Sequence, residues 1–114
     1  MSSDAKSFFL KKDMSDLLLE EVKTNSLRAR YVLKDSLNGI VPSTKEEVSQ
    51  ICELIASYRV IELILDSVFT EENESKEGIY RIDEQVLLGL QSSMSLISVL
   101  KLSLESAGFS LVAH

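Results

Sequence analysis

The chain has 114 residues, of which 45% are hydrophobic and 26% charged, and its net charge at pH 7 is -6. This length predicts a single domain spanning residues 1–114, and the apolar content excludes a chain too polar to fold. The acidic balance disfavours a phosphate-binding surface, and therefore nucleic acid as the main partner. The single cysteine excludes an internal disulfide and a cluster of thiolates around a metal.

Residues 1–13 are predicted to form an N-terminal arm or a short helix around Phe8 and Phe9. This segment lacks the basic flank, long apolar run and cleavage site of a secretory signal. The longest uncharged run, residues 85–100, is shorter than the roughly 20 apolar residues that span a bilayer. We therefore expect no membrane segment and a cytoplasmic location, which the lone cysteine also fits.

The next segment, residues 15–37, has apolar side chains at spacings of three and four residues, which is typical of a helix with one buried face. Ser15 or Asp13 is the expected cap at its start. Asn38 and Gly39 follow it, and a glycine there can take the left-handed conformation that ends a helix. The pattern therefore predicts a first helix that ends before Gly39.

A second helix is predicted for residues 44–70. It begins with a capping box, either Ser43 with Glu46 or Thr44 with Glu47. Its apolar residues follow a spacing of three and four over almost three heptads, which predicts a seam that packs against other helices. The seam consists of Ile51, Leu54, Tyr58, Ile61, Leu65 and Val68.

Residues 71–82 are predicted to be an acidic loop, residues 83–107 a third helix and residues 108–114 a tail that folds back over the helices. No charged side chain occurs between Glu84 and Lys101. A helix without charges on any side is typically enclosed. We therefore expect other helices to bury the third helix, through the side chains of Leu87, Leu90, Met94, Ile97 and Leu104.

These elements predict an all-α protein in which three long antiparallel helices form a bundle. The third helix offers no charged outer face, so we expect a second copy of the chain to complete the bundle as a homodimer. The alternative is that Ser92, Ser95 and Ser98 form an uncharged face that remains in contact with water.

The residues most useful in catalysis are scarce in this chain. The single histidine is the last residue, His114, and Cys52 falls among apolar residues, where it is expected to be a small buried hydrophobe. Adjacent acidic residues in a helix point about 100° apart, and no Glu-x-x-His motif occurs. We predict no catalytic residues, no metal site and no cofactor, so that the chain is not an enzyme.

Three sets of residues are candidates for surface contacts. Phe8 and Phe9 could insert into a partner groove or cap one end of the bundle, and Tyr31 is a candidate anchor. Positive charge is concentrated on the first helix: residues 1–38 hold seven Lys or Arg against six Asp or Glu, whereas residues 39–78 hold three against nine. The candidate nucleic-acid contacts there are Arg28, Arg30 and Lys34.

The sequence therefore predicts a small protein–protein interaction module, either an adaptor, a chaperone, an inhibitor or a regulator. It would act through apolar helix faces on a second copy or on another protein. Two alternatives remain open at this point. One is a nucleic-acid-associated regulator that uses the basic sector of the first helix, and the other is a helical bundle that encloses an apolar ligand.

Overall fold

The computed structural model describes residues 8–111. Three long helices dominate it, and a small antiparallel sheet lies at one end. The elements in chain order are β1 (Phe8–Lys11), α1 (Lys12–Leu37), α2 (Lys45–Val68), a 3-10 turn (Glu71–Asn73), β2 (Glu74–Lys76), β3 (Ile79–Ile82) and α3 (Glu84–Ser106).

The three predicted helices are confirmed, and most of their ends lie within two residues of the expected positions. α1 is the exception, because it begins at Lys12, directly after β1, with Lys11 in extended conformation as its cap residue and no side-chain cap. Its end is as expected, with Asn38 as the cap and Gly39 at a φ of 74°. The chain then crosses to α2.

Of the two predicted capping frames, the structure forms the second. The Thr44 hydroxyl accepts a hydrogen bond from the Glu47 backbone N–H at 3.0 Å, and the Glu47 carboxylate accepts one from the Thr44 N–H at 2.8 Å. Ser43 instead donates its hydroxyl hydrogen to Ser36 Oγ at 2.8 Å, which ties the start of α2 to the end of α1.

The prediction of a purely helical chain is wrong at one end of the molecule. β3 lies between β1 and β2 and pairs with both in antiparallel fashion. Residues 8–11 are thus a strand rather than an arm or short helix, and the predicted acidic loop contains a hairpin that turns at Gly78, whose φ is 77°. The reason is tertiary, because Phe8 pairs with Ile82, a residue 74 positions away that a local pattern does not reveal.

The helices pack with α2 in the middle. α1 and α3 each lie along α2 and hardly touch one another, so the bundle is open on one side. All six residues of the predicted α2 seam are buried, and all but Val68 belong to the main hydrophobic core. The molecule measures 56 × 30 × 18 Å, so it is elongated and flattened.

The C-terminal tail folds back, as predicted, over the described part of its length. Phe109 and Leu111 are buried in the core. The carbonyl oxygen of Ser110 accepts a hydrogen bond from Arg28 Nε at 3.1 Å. At this end of the molecule, the tail links the end of α3 to α1.

The expectation that residues 85–100 are enclosed on every side is wrong for a single chain. Leu90, Ile97 and Leu100 are buried, whereas nine of the sixteen residues are exposed. One side of α3 packs against α2 and the tail, and no other element of the described chain covers the opposite side. About half of the surface of this uncharged segment is therefore exposed to solvent.

Candidate interaction surface

The exposed side of α3 carries a regular row of apolar and small side chains. Leu88 is 50% exposed, Val99 64% and Leu102 69%. Ser92 and Ser95 lie between them and are exposed as well. Since spacings of four and three residues place side chains on one side of a helix, these residues form a single strip. We call it the outer face of α3; it consists of Leu88, Ser92, Ser95, Val99 and Leu102.

This outer face has no charged residue, and its surroundings are uncharged over most of its length. Exposed surfaces of soluble proteins usually intersperse charged side chains, and contiguous apolar patches mark contact sites. Ser98 and Ser106 beside the strip donate their hydroxyl hydrogens to the carbonyl oxygens of Met94 and Leu102, at 3.1 and 2.7 Å. Both hydroxyl groups therefore have hydrogen-bond acceptors within the helix. A partner that covered them would not leave their hydrogens without an acceptor.

Val60 and Leu63 are exposed apolar residues on α2. Both lie on the side of α2 opposite its buried seam. α2 and α3 meet closely, since a methyl group added at Gly89 would lie 3.9 Å from the Ile64 side chain. A side chain as small as alanine at position 89 would therefore make an ordinary contact with α2.

Of the five residues predicted for contact on α3, three lie in the core. Leu90, Ile97 and Leu104 belong to the core of this same chain, where α2 and the tail cover them. Leu87 is half-buried, whereas Met94, which was expected to be buried, is exposed at the edge of the groove described next. The outer face was missed by the sequence analysis, although its spacing, from Leu88 to Leu102, was visible in the sequence.

An open groove runs between α1 and α3, with α2 as its floor. It has a volume of about 210 Å³, and its lining includes Val22, Tyr58, Ile97 and Met94 as well as the polar residues Glu21 and Lys101. Pockets that enclose small apolar ligands usually measure 300–1,000 Å³ and surround most of the ligand. The groove is smaller than these and open to solvent.

The sheet end presents aromatic side chains in two ways. Phe9 is half exposed, whereas Phe8 is partly buried. Behind them the rings of Phe69 and Tyr80 meet edge to face, with centroids 5.2 Å apart, and Lys12 Nζ lies 5.9 Å from the Phe69 ring centre. The structure therefore uses Phe69 and Tyr80 to fix the sheet on the helices and leaves Phe9 accessible.

The candidate basic contacts lie on α1 but do not act as one group. Arg30 and Lys34 are exposed, while Arg28 is partly buried and donates its Nε hydrogen to the tail. Tyr31 is exposed beside them. The guanidinium group of Arg28 is thus engaged within the protein, and it is less available to bind a phosphate group.

The chemistry-bearing residues are dispersed. Within residues 8–111, no three His, Cys, Asp or Glu side chains come together as a metal site. Cys52 is exposed, which corrects the expectation that it is buried, because it lies on the outer side of α2 rather than on the seam. His114 lies outside the described residues.

Two buried polar groups are explained by packing. Glu62 is almost fully buried on α2, and its carboxylate accepts a hydrogen bond from Arg59 Nη1 at 3.1 Å. Burial raises the pKa of the Tyr58 phenol from 10.0 to about 12, and the nearby carboxylates of Glu21 and Glu105 add to the rise. The phenol therefore stays protonated at neutral pH and is not available as a base, as expected of a side chain in the core.

Among the described helices, α3 alone is long and apolar enough to cross a membrane, judged by length and composition. The core helix of a soluble protein can meet the same test. α3 contributes Leu90, Ile97, Leu100 and Leu104 to the core beneath it. These contacts would be lost if the helix left α2 to enter a bilayer.

Comparison with known proteins gives no relative: no family model matches the chain, and neither the curated proteins nor the solved structures contain a significant match.

Proposed function

We propose that this chain is a non-enzymatic protein–protein interaction module whose contact surface is the outer face of α3. The observation that carries the proposal is the exposure of Leu88, Val99 and Leu102 in one uncharged strip. Leaving these side chains in water costs about 25 cal/mol for each Å² of apolar surface. A partner that covers the strip recovers this free energy.

Such a module acts by presenting a shaped apolar surface, so adaptor, chaperone, inhibitor and regulatory roles all follow from the same contact. The acidic remainder of the molecule would keep it soluble. A cytoplasmic location and the absence of a membrane partner belong to the same proposal.

The two other candidate functions have less support. A nucleic-acid contact would use Arg28, whose Nε is bound to the tail. An apolar-ligand carrier would need a closed cavity, and the groove between α1 and α3 is open and partly polar.

Site-specific photo-crosslinking in the cells that naturally produce this protein tests the proposal. A photoreactive amino acid would replace Val99 in one variant and Leu17 in the other; Leu17 is equally exposed, at 66%, but lies on α1. We expect a protein adduct from position 99 and none from position 17. Equal labelling at both positions, or an adduct to lipid at position 99, would contradict the proposal.

A further inference from the structure

The sheet ends on one side at β1, and the outer edge of this strand offers backbone groups to a further strand. The Lys12 N–H donates a hydrogen bond to the Gly78 carbonyl oxygen at 2.8 Å, in register with the paired residues of β1 and β3. Hydrogen-bonded and non-hydrogen-bonded pairs alternate along antiparallel strands. The backbone N–H groups of Phe9 and Lys11 therefore point away from β3, and elsewhere in residues 8–111 they find no backbone partner.

The side chains of the same two residues lie on the outer face of the sheet. Burial alternates along β1, so Phe9 and Lys11 are exposed while their neighbours in the strand are partly buried. An open cleft of about 310 Å³ lies beside them over Ile79, and Ser75 and Lys76 of β2 form its other wall. Two ammonium groups and no carboxylate group line this cleft. The outer face thus combines an exposed aromatic ring with positive charge.

The positive charge of this face is concentrated around Lys11 and Lys76. Both side chains are exposed, and neither takes part in an ion pair within the described part of the chain. Arg81 lines a neighbouring cleft, but that cleft also contains Glu72 and Glu74. An acidic group is therefore favoured beside Lys11 rather than beside Arg81.

We infer that β1 binds an extended acidic segment of a partner protein, which adds a fourth strand to the sheet. Main-chain hydrogen bonds to Phe9 and Lys11 would hold the segment, and its alternate side chains would provide specificity. The segment places a carboxylate beside Lys11 and, two positions along, an apolar side chain beside Phe9. This surface is separate from the outer face of α3, so the inference goes beyond the proposed function and does not rest on it.

Other occupants fit the strand edge less well. Two copies paired through β1 would join two positively charged sheet faces, and the chains, each with a net charge of -6, repel one another as well. A nucleic acid needs many cations to neutralise successive phosphates, whereas this face offers two next to Glu72 and Glu74. A small anion would leave the backbone groups of the edge without a partner.

Amide hydrogen exchange tests the mode of binding. The probe is a short capped peptide with threonine at alternate positions and, between these, an aspartate and a valine two positions apart. At saturation it should slow exchange of the Phe9 and Lys11 amides about tenfold or more and leave that of Leu10, which already faces β3, unchanged. One control peptide has lysine in place of the aspartate, and the other is N-methylated at the aspartate and the valine. Equal binding of either control would overturn the inference.

Two substitutions at one position separate charge from backbone pairing. Lys11→Ala and Lys11→Pro both remove the ammonium group, but only proline also removes the N–H. The φ of Lys11, -85°, is near the value of proline, and β3 does not use this N–H, so β1 should stay paired with β3. Circular dichroism verifies that both variants are folded.

Fluorescence anisotropy of the labelled peptide measures the affinities of these variants. Lys11→Ala should weaken binding about threefold, and Lys11→Pro about tenfold more. The control Lys45→Ala, exposed at the start of α2, should leave the affinity unchanged. Equal affinities of the alanine and proline variants at position 11 would show that the strand edge is not used, and would overturn the inference.

Two further results would also overturn it. Protection of the Phe9 and Lys11 amides that rises with protein concentration in the absence of peptide would make a second copy the occupant. Tighter binding of an oligothymidylate than of the peptide would make nucleic acid the occupant. The peptide should bind Val99→Glu as it binds the native chain, so a failure of the proposed function and a failure of this inference are distinguishable.

Discussion

The Nε of Arg28 on α1 donates a hydrogen bond to the carbonyl oxygen of Ser110, 82 residues further along the chain, at a distance of 3.1 Å. α1 and α3 hardly touch along their length. At this end, the tail joins them instead, with Phe109 and Leu111 buried in the core on either side of the hydrogen-bonded carbonyl. At this end, residues 108–111 of the described tail therefore link the two helices in place of direct helix contact.

Arg28→Ala should loosen this closure. A hydrogen bond from a charged donor at a partly exposed site contributes about 1–2 kcal/mol, so we expect the free energy of unfolding to fall by about that amount. Chemical denaturation would measure it, with Arg30→Ala as the control because that side chain is exposed on the same helix. Equal stabilities of the two variants would show that the tail does not depend on Arg28.

Truncation of two leucines on α3 should lower the free energy of unfolding to very different extents. Leu104 is fully buried, so Leu104→Ala should lower the free energy of unfolding by about 2–5 kcal/mol. Leu102 is mostly exposed in one chain, so Leu102→Ala should change that free energy by less than about 0.5 kcal/mol. Thermal denaturation at a concentration low enough to keep the chain monomeric would compare them, and a similar loss in both would mean that α3 is seated differently.

The capping box gives a test with two adjacent residues. Glu47 reaches back to the Thr44 N–H, whereas its exposed neighbour Glu46 belongs to the other predicted frame. Both acids interact with the same helix dipole, so a difference between them isolates the hydrogen bond. Glu47→Ala should cost about 0.5–1 kcal/mol more than Glu46→Ala in urea unfolding. The reverse order would favour the Ser43 frame.

High pH should weaken the fold through Tyr58. The pKa of its phenol is about 12 in the folded chain against 10.0 ordinarily, so the unfolded chain loses this proton first as the pH rises. The contribution of the protonated Tyr58 phenol to the free energy of unfolding is therefore fully present below pH 10, and it is lost progressively between pH 10 and pH 12. Unfolding measured across that range in Tyr58→Phe should show a smaller decline than in the native chain. An identical decline would mean that Tyr58 titrates normally.

The helical part of the fold was predictable because its signals are local. The α2 seam from Ile51 to Val68 follows a strict spacing of three and four residues, and all six of its members are buried. Gly39 ends α1 through a positive φ, which favours glycine whatever surrounds it. Such features depend on side chains within one or two turns.

The sheet and the contact strip were not predictable in this way. The four residues of β1 become a strand only because β3, some 70 positions later, supplies backbone partners. Cys52 has apolar neighbours in sequence, yet helical geometry turns it away from the seam and into solvent. The buried stripe of α3 was predicted in part, since Leu90, Ile97 and Leu104 were expected to be buried and are. The exposure of the stripe containing Leu88 was not predicted, because both stripes are free of charge near their centres.

By itself, the sequence determined the three helices, their order and the charge-free character of α3, since periodicity, capping residues and composition act over short distances. The tertiary structure decided that α2 lies between its neighbours, that the tail closes one end and that the sheet closes the other. It also decided that Leu88, Val99 and Leu102 remain outside, because α2 and the tail cover only one side of α3. That division of α3 between a buried and an exposed stripe arises from packing among distant segments.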